Sequence, residues 1–134
     1  MVGKIVHIGL AVKDLKRSIE VFTAMVGSAP THTEQVEDQH VNTAMFAFGD
    51  TAIELLEATS PDSSIAKFIE KRGEGMHHLS FAVDDIVSEL ERLRNAGFQL
   101  IDEQPRKGAD NCLVAFLHPQ STNGVLIEIS QKIR

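Results

Sequence analysis

Two histidines and two glutamates recur at matching places in the two halves of this 134-residue sequence. The stretch HIGLAVKDL, which begins at His7, is similar to HLSFAVDDI, which begins at His78. A second pair of similar stretches follows, because AIELLE carries Glu54 and VLIEIS carries Glu128. Imidazole nitrogens and carboxylate oxygens together suit a borderline divalent metal ion. The sequence therefore predicts a metal site formed by His7, Glu54, His78 and Glu128.

The symmetry of these four residues is what favours a metal site. A single histidine on a strand is more often a structural or surface residue than a ligand, and an isolated glutamate is usually a solvated charge. After a duplication, four solvated residues would be expected to diverge sooner than four residues that bind one ion. On an octahedral ion, four protein ligands leave two positions open. If these are adjacent, two oxygens of one substrate could occupy them.

The other candidate residues have weaker support. Strand alternation places His77 on the face opposite to His78, so we interpret His77 as structural. Arg106 and Lys107 lie on a predicted loop where they could meet an anionic ligand, although solvated loop charges are more common. Cys112 is interpreted as a small packing residue within a strand. The remaining histidines have no counterpart in the other half and are interpreted as surface or loop residues, namely His32, His40 and His118.

The first half has the pattern of a strand, a helix and three further strands. Alternation over residues 4–12 predicts a strand in which the face of Val6, Ile8, Leu10 and Val12 is the core face, and His7 lies on the other. Asp14 is predicted to cap a helix that ends at Gly27. The stretches THTEQV, VNTAMFAF and TAIELLEA are predicted strands, with a polar turn at residues 37–39 after the first of them.

The second half repeats this plan after a connecting helix in residues 59–74, which is predicted to be capped by Ser63 or Ser64 and to end at Gly73. Strand HLSFAV precedes a helix capped by Asp85 and ended by Gly97, and FQLIDEQ, CLVAFLHP and VLIEIS are further predicted strands. RKGADN is predicted to be a loop. We thus expect an α+β fold of two tandem βαβββ modules, about 4–58 and 75–131, in one domain covering residues 1–134, with curved sheets around the metal site.

The overall composition excludes several classes of function. A formal net charge of −6 at pH 7 disfavours a nucleic-acid partner, which would need a basic surface. The apolar N-terminal stretch is too short and too interrupted for a membrane span, and it lacks the features of a signal peptide. One cysteine suits a reducing compartment. We therefore expect a cytoplasmic protein without a membrane partner.

Three longer stretches carry a more specific resemblance. They are HIGLAVKDL, GDTAIELLEATSPDSSIAKFIEKRGEGMHHLSFAVDDI and VAFLHPQSTNGVLIEI. These stretches resemble the methylmalonyl-CoA epimerase family of the vicinal oxygen chelate superfamily (glyoxalase/bleomycin resistance/dioxygenase), and the likeness covers nearly the whole chain. The resemblance implies the paired βαβββ fold, an acyl-CoA substrate, a homodimer and one divalent metal ion per chain. Co²⁺ is favoured, and Ni²⁺, Mn²⁺, Zn²⁺ and Fe²⁺ are alternatives.

The resemblance also implies roles for individual residues. His7, Glu54, His78 and Glu128 match the metal positions of the family, and Glu128 matches a residue that transfers a proton. The implied reaction interconverts (R)- and (S)-methylmalonyl-CoA by α-proton transfer through a metal-stabilised enolate.

Three positions depart from the family pattern. A second catalytic glutamate of some members falls at Thr43, the loop usually written GA-H/G-G reads GADN, and Gln120 replaces a common lysine. The second proton could therefore come through a water near Thr43, which we favour, or from Glu37 or His40. The residues that bind coenzyme A cannot be assigned.

Three other functions are open to a protein with this frame. A glyoxalase-type isomerase acting on a thiol–aldehyde adduct would use the same ligands. A dioxygenase would normally use two histidines and one carboxylate, so Glu54 counts against it. A superfamily member that only binds a small molecule would tend to lose the metal residues, and here all four positions are intact.

Overall fold

The computed structural model describes residues 2–133 of the chain. Its helices are α1 (Leu15–Val26), α2 (Ser64–Arg72) and α3 (Ile86–Asn95). Its strands are β1 (Val2–Ala11), β2 (His32–Val36), β3 (Val41–Phe48), β4 (Thr51–Ala58), β5 (Gly75–Val83), β6 (Arg106–Lys107), β7 (Cys112–Leu117) and β8 (Ile127–Lys132). Two short 3₁₀ helices cover Glu37–Gln39 and Pro119–Ser121.

The strands form one eight-stranded mixed sheet in the order β2-β3-β4-β1-β5-β8-β7-β6. Strands β5 and β8 pair in parallel, whereas β7 pairs with β8 and β3 with β4 in antiparallel fashion. The predicted α+β class and the repeated βαβββ order are confirmed. The chain divides into two compact units, which we call the first-half unit (Ile8–His77) and the second-half unit, made of the described residues on either side of it. The prediction of a single domain stays a prediction.

Helix α1 covers the core of the first-half unit. Asp14 accepts a hydrogen bond from the Arg17 backbone N–H at 3.1 Å, and Gly27 ends the helix with a φ of 92°, a conformation that costs glycine little. The apolar stripe of the helix packs on a buried cluster that includes Ala44, Phe46 and Leu55. Both predicted helix ends are confirmed. The connecting helix α2 is capped by the Ser63 hydroxyl, one of the two predicted residues.

Helix α3 covers the core of the second-half unit. Asp85 accepts a hydrogen bond from the Ser88 backbone N–H at 3.2 Å, as predicted for its N-cap. Leu90 and Leu93 are buried in a cluster with Ala115 and Ile129 from β7 and β8. This packing holds the two strands in register, and β8 is the strand that carries Glu128. None of the helices described is long and apolar enough to cross a membrane.

Two predictions about the strands of the second half were wrong. FQLIDEQ is not a strand, and an isolated bridge joins Leu100 to Leu117 there. The Asp102 carboxylate accepts a hydrogen bond from the Phe116 backbone N–H at 2.9 Å, so a side chain replaces a regular backbone bond. Strand β6 instead forms at Arg106–Lys107, inside the stretch predicted to be a loop.

The burial of β1 follows the prediction only in part. His7, Gly9 and Ala11 are buried, whereas Val6, Ile8 and Leu10 on the apolar face are half-buried. The face with the histidine is therefore the more enclosed one. The apolar face nevertheless contributes to the core as predicted, because Val12 is buried in the cluster of Ala44, Phe46 and Leu55 and Leu10 packs against it. Hydrophobicity alone did not predict the burial of the histidine face, because a polar side chain that belongs to a site can be as buried as the core.

Candidate metal centre

The first and fifth strands bring two predicted ligands into contact. His7 and His78 are buried, with 7% and 5% of their surfaces exposed. Their Nε2 atoms lie 3.0 Å apart, and the two rings meet edge to face with centroids 5.1 Å apart. Because their Nε2 atoms point to the same small volume, both could bind one ion there.

Glu128 on β8 lies beside this histidine pair. Its Oε1 atom is 3.2 Å from His7 Nε2, and the residue is 5% exposed. Burial alone would raise the pKa of the Glu128 carboxyl. The polar contact with His7 and the charge of His78 outweigh burial and hold that pKa below its ordinary value. The side chain is therefore a carboxylate at neutral pH, the form that binds a cation.

The buried oxygens of this centre fit a cation. Both Glu128 Oε1 and Ser80 Oγ are buried and lack a well-aligned hydrogen-bond partner, although Oε1 is within ion-pair distance of His7. A buried carboxylate oxygen is costly unless it is paired, and a bound divalent cation would satisfy it. Two imidazole nitrogens and one carboxylate oxygen are a common donor set for borderline divalent ions. The centre can therefore hold a divalent metal ion.

Two further side chains support the centre and were missed in the sequence. Ser80 is opposite Glu128 in the parallel pairing of β5 and β8, and it is fully buried. Phe116 packs edge to face on His78, with ring centroids 5.4 Å apart. Both could have been anticipated from alternation, because Ser80 follows His78 by two residues and Phe116 lies on the strand before Glu128. Such neighbours orient the ligands of a metal.

The fourth predicted ligand, Glu54, lies on β4 in the first-half unit. It is 4% exposed and is opposite Met45 in the pairing of β3 and β4. A buried carboxylate on a strand flanked on both sides needs a compensating partner. Its burial is consistent with the predicted role.

Thr43 is on the strand next to Glu54, opposite Leu56. It is 2% exposed, and its hydroxyl donates a hydrogen bond to the Glu34 carbonyl oxygen at 3.2 Å. Glu37 and His40, the alternatives for the second proton, are both exposed. His40 has a left-handed backbone with a φ of 54°, because it ends the short 3₁₀ helix.

The remaining histidines have local partners. His77 packs edge to face on Phe68 of α2, with centroids 5.0 Å apart, which agrees with its structural interpretation. The exposed His32 pairs with Glu34 at 2.8 Å. His118 Nδ1 accepts a hydrogen bond from the Gln120 backbone N–H at 3.1 Å. Cys112 is buried, as its packing role predicted, and burial raises the pKa of its thiol.

The profile of the Glyoxalase/Bleomycin resistance protein/Dioxygenase superfamily matches residues 6–116. The chain belongs to this superfamily. This superfamily member is 33% identical to an ethylmalonyl-CoA/methylmalonyl-CoA epimerase from Cereibacter sphaeroides, over 98% of its own length and 99% of the relative's. It is 40% identical to the uncharacterized protein YqjC from Bacillus subtilis, over 93% of its own length and 89% of the relative's.

A solved structure extends the similarity to three dimensions. A variant of the methylmalonyl-CoA epimerase from Streptomyces coelicolor, in complex with 2-nitronate-propionyl-CoA, matches this superfamily member with a TM-score of 0.95 and 34% identity. The match covers 98% of this chain and 96% of the other. The resemblance predicted from the sequence is therefore confirmed.

Proposed function

We propose that this chain is a metal-dependent epimerase that interconverts (R)- and (S)-methylmalonyl-CoA. The observation that carries the proposal is the buried carboxylate of Glu128, 3.2 Å from His7 in a centre where the nitrogens of two histidines converge. A carboxylate in that position can bind a cation with one oxygen and accept a proton with the other. The similarity to epimerases over almost the whole chain supports this substrate and reaction.

The proposed ligands are His7, Glu54, His78 and Glu128, for one divalent ion per chain. Contacts in the second-half unit support His7, His78 and Glu128. The sequence duplication and the burial of its own carboxylate support Glu54. Co²⁺ is favoured, with Ni²⁺, Mn²⁺, Zn²⁺ or Fe²⁺ as alternatives. A divalent ion in this centre would supply Lewis acidity that polarises a carbonyl oxygen and makes the neighbouring C–H more acidic.

Glu128 is the proposed base for one face of the substrate. The carboxylate is ionised at neutral pH, so it can accept the α-proton without first losing one of its own. Its burial excludes bulk water, which strengthens electrostatic interactions around the reacting carbon. Ser80 is beside it in the pairing of β5 and β8 and would help to fix its orientation.

Inversion needs a second group, on the opposite face of the substrate, that can donate or accept a proton. The Thr43 hydroxyl cannot act as a base near neutral pH, and it already donates a hydrogen bond to a backbone carbonyl. We propose that a water near Thr43 carries the second proton. The exposure of Glu37 and His40 makes them less suitable for proton transfer in a site closed to solvent.

The substrate is proposed to be an acyl-CoA because a similar solved structure contains 2-nitronate-propionyl-CoA. The cytoplasmic location and the homodimer stay predictions.

The decisive experiment follows deuterium exchange at the α-carbon of methylmalonyl-CoA by NMR in deuterated water. The metal-reconstituted protein should wash in deuterium and invert the centre, whereas the chelator-treated protein should do neither. A hemithioacetal of glutathione, assayed in parallel, tests the glyoxalase-type alternative. Turnover of the hemithioacetal without α-proton exchange in methylmalonyl-CoA would refute the proposal.

A further inference from the structure

Arg106 lies on the same face of the sheet as Glu128. In the pairing of β6 and β7, Arg106 is opposite Val114, and in the pairing of β7 and β8, Phe116 is opposite Glu128. Val114 and Phe116 are two residues apart, so all four side chains project from one face. Lys107 is opposite Leu113 and projects from the other face. Of these two neighbouring cations, only Arg106 is on the side of the metal centre.

One aromatic ring connects this arginine to a proposed metal ligand. The guanidinium carbon of Arg106 lies 6.0 Å from the centroid of the Phe116 ring, within the range of a cation–π contact. The same ring packs edge to face on His78, with centroids 5.4 Å apart. The positive charge is therefore one ring away from the histidine that would hold the ion.

Asp102 contacts both Arg106 and the backbone of Phe116. Its Oδ1 atom is 3.6 Å from Arg106 Nε, and its Oδ2 accepts a hydrogen bond from the Phe116 backbone N–H at 2.9 Å. One carboxylate thus positions both the arginine side chain and the strand beneath it. Among the described residues, Asp102 is the ion-pair partner of Arg106, and the atom of the guanidinium closest to it is Nε. The arginine side chain is 44% exposed, so a ligand can reach it.

The charge of the proposed centre creates a need for such a cation. Two neutral histidines, two glutamates and one divalent ion sum to zero net charge. A substrate carboxylate bound there would add one negative charge in a buried site, which is costly unless it is neutralised. A guanidinium presents parallel N–H donors that match the two oxygens of a carboxylate.

Resting on the proposed function, we propose that Arg106 binds the free carboxylate of the acyl group and selects carboxylated acyl-CoA substrates over acyl-CoAs that lack it. The contact would orient the α-carbon relative to Glu128 as well as recognise the substrate. This assigns a substrate-binding residue to a position where the sequence alone favoured a solvated loop charge.

The test compares the affinities of malonyl-CoA and propionyl-CoA, which differ in a carboxylate against a methyl group. Both are measured by calorimetry with the metal-loaded protein. The wild type should bind malonyl-CoA more tightly. Arg106→Gln should weaken malonyl-CoA binding on the order of 10-fold, the lower end for a charged hydrogen bond because the arginine is partly exposed, and leave propionyl-CoA binding unchanged.

Two variants serve as controls. Lys107→Gln removes the same charge from the other face of β6 and should change neither affinity. Arg106→Lys should recover part of the malonyl-CoA affinity, because an ammonium keeps the charge but loses the planar fork. Metal content and melting temperature, measured for each variant, show whether the fold is intact. If Arg106→Gln loses metal, the affinities of Arg106→Lys for malonyl-CoA and propionyl-CoA are compared with those of the wild type instead.

Three results would overturn the assignment. An equal loss of affinity for both ligands would place Arg106 at the coenzyme A phosphates. No change in either affinity would make it a solvated loop charge. Equal affinities of the wild type for malonyl-CoA and propionyl-CoA would show that the protein does not recognise the carboxylate. These outcomes are measured by binding, so they are separate from failure of the proposed function, which is an absence of α-proton exchange by the wild type.

Discussion

Glu128→Gln is the substitution that separates ligand chemistry from acid–base chemistry. Glutamine keeps the size of the side chain and one oxygen that can bind a metal, but it removes the charge and the proton acceptor. The nearest ligand atom to Glu128 Oε1 is His7 Nε2, at 3.2 Å. A unit charge at a distance of that size interacts with a carboxylate by about 5 kcal/mol at an effective dielectric constant of 20, which sets the scale for a cation held in this centre. Desolvation offsets much of this, so the loss of metal affinity will be smaller than that figure.

The catalytic loss should exceed what weaker metal binding explains. We expect turnover by Glu128→Gln to fall on the order of 10²–10⁴-fold, the usual contribution of a general base. Turnover is measured as α-deuterium exchange in methylmalonyl-CoA at saturating metal, with occupancy determined on the same samples. When the metal site is fully occupied, weaker metal binding no longer lowers turnover, so the remaining loss is due to proton transfer.

Glu54→Gln is the matched control, because it makes the same chemical change at a residue proposed to be a ligand alone. It is as buried as Glu128, at 4% against 5% exposure. We expect this variant to retain substantial turnover once it is saturated with metal. Equal losses from the two substitutions at equal occupancy would refute the idea that Glu128 does more than hold the ion.

Three further predictions address the metal, the acid stability and the second proton. His78→Ala should reduce metal affinity far more than His77→Ala, and by more than the roughly 10–100-fold typical of residues that only support a ligand. A larger effect of His77→Ala would mean that the assigned strand register is wrong by one residue. Because the pKa of Glu128 is lowered in the folded state, its contribution to stability is present above about pH 4.3 and is lost as pH falls below that value. In chelator, thermal melts from pH 6 to pH 2 should therefore show a smaller acid-induced drop for Glu128→Gln than for the wild type, and parallel curves would contradict this. Exchange started from each epimer in deuterated water should show different ratios of incorporated deuterium to inverted product in the wild type, because the two proton transfers are unequal in rate. Thr43→Glu should bring these ratios closer together and raise turnover. Equal ratios in the wild type, with an inactive variant, would mean that the second group lies elsewhere.

The sequence by itself determined the elements whose ends depend on local chemistry. Asp14 and Asp85 cap their helices through their own side chains, and Gly27 accepts a backbone conformation that other residues rarely adopt. These interactions involve residues close in the chain, so pattern alone predicts them. The duplication likewise identified His7 and His78 as a pair, because related halves place equivalent residues at equivalent points of the fold.

Only the tertiary structure decided the geometry of the site and its neighbours. The 3.0 Å between His7 and His78, and the position of Arg106 beside the ring of Phe116, depend on pairing between strands far apart in the sequence. The same is true of residues 98–104, where apolar content predicted a strand but the carboxylate of Asp102 took the backbone N–H of Phe116. Local propensity cannot anticipate such bonds, because the partner is supplied by a distant segment only once the chain has folded.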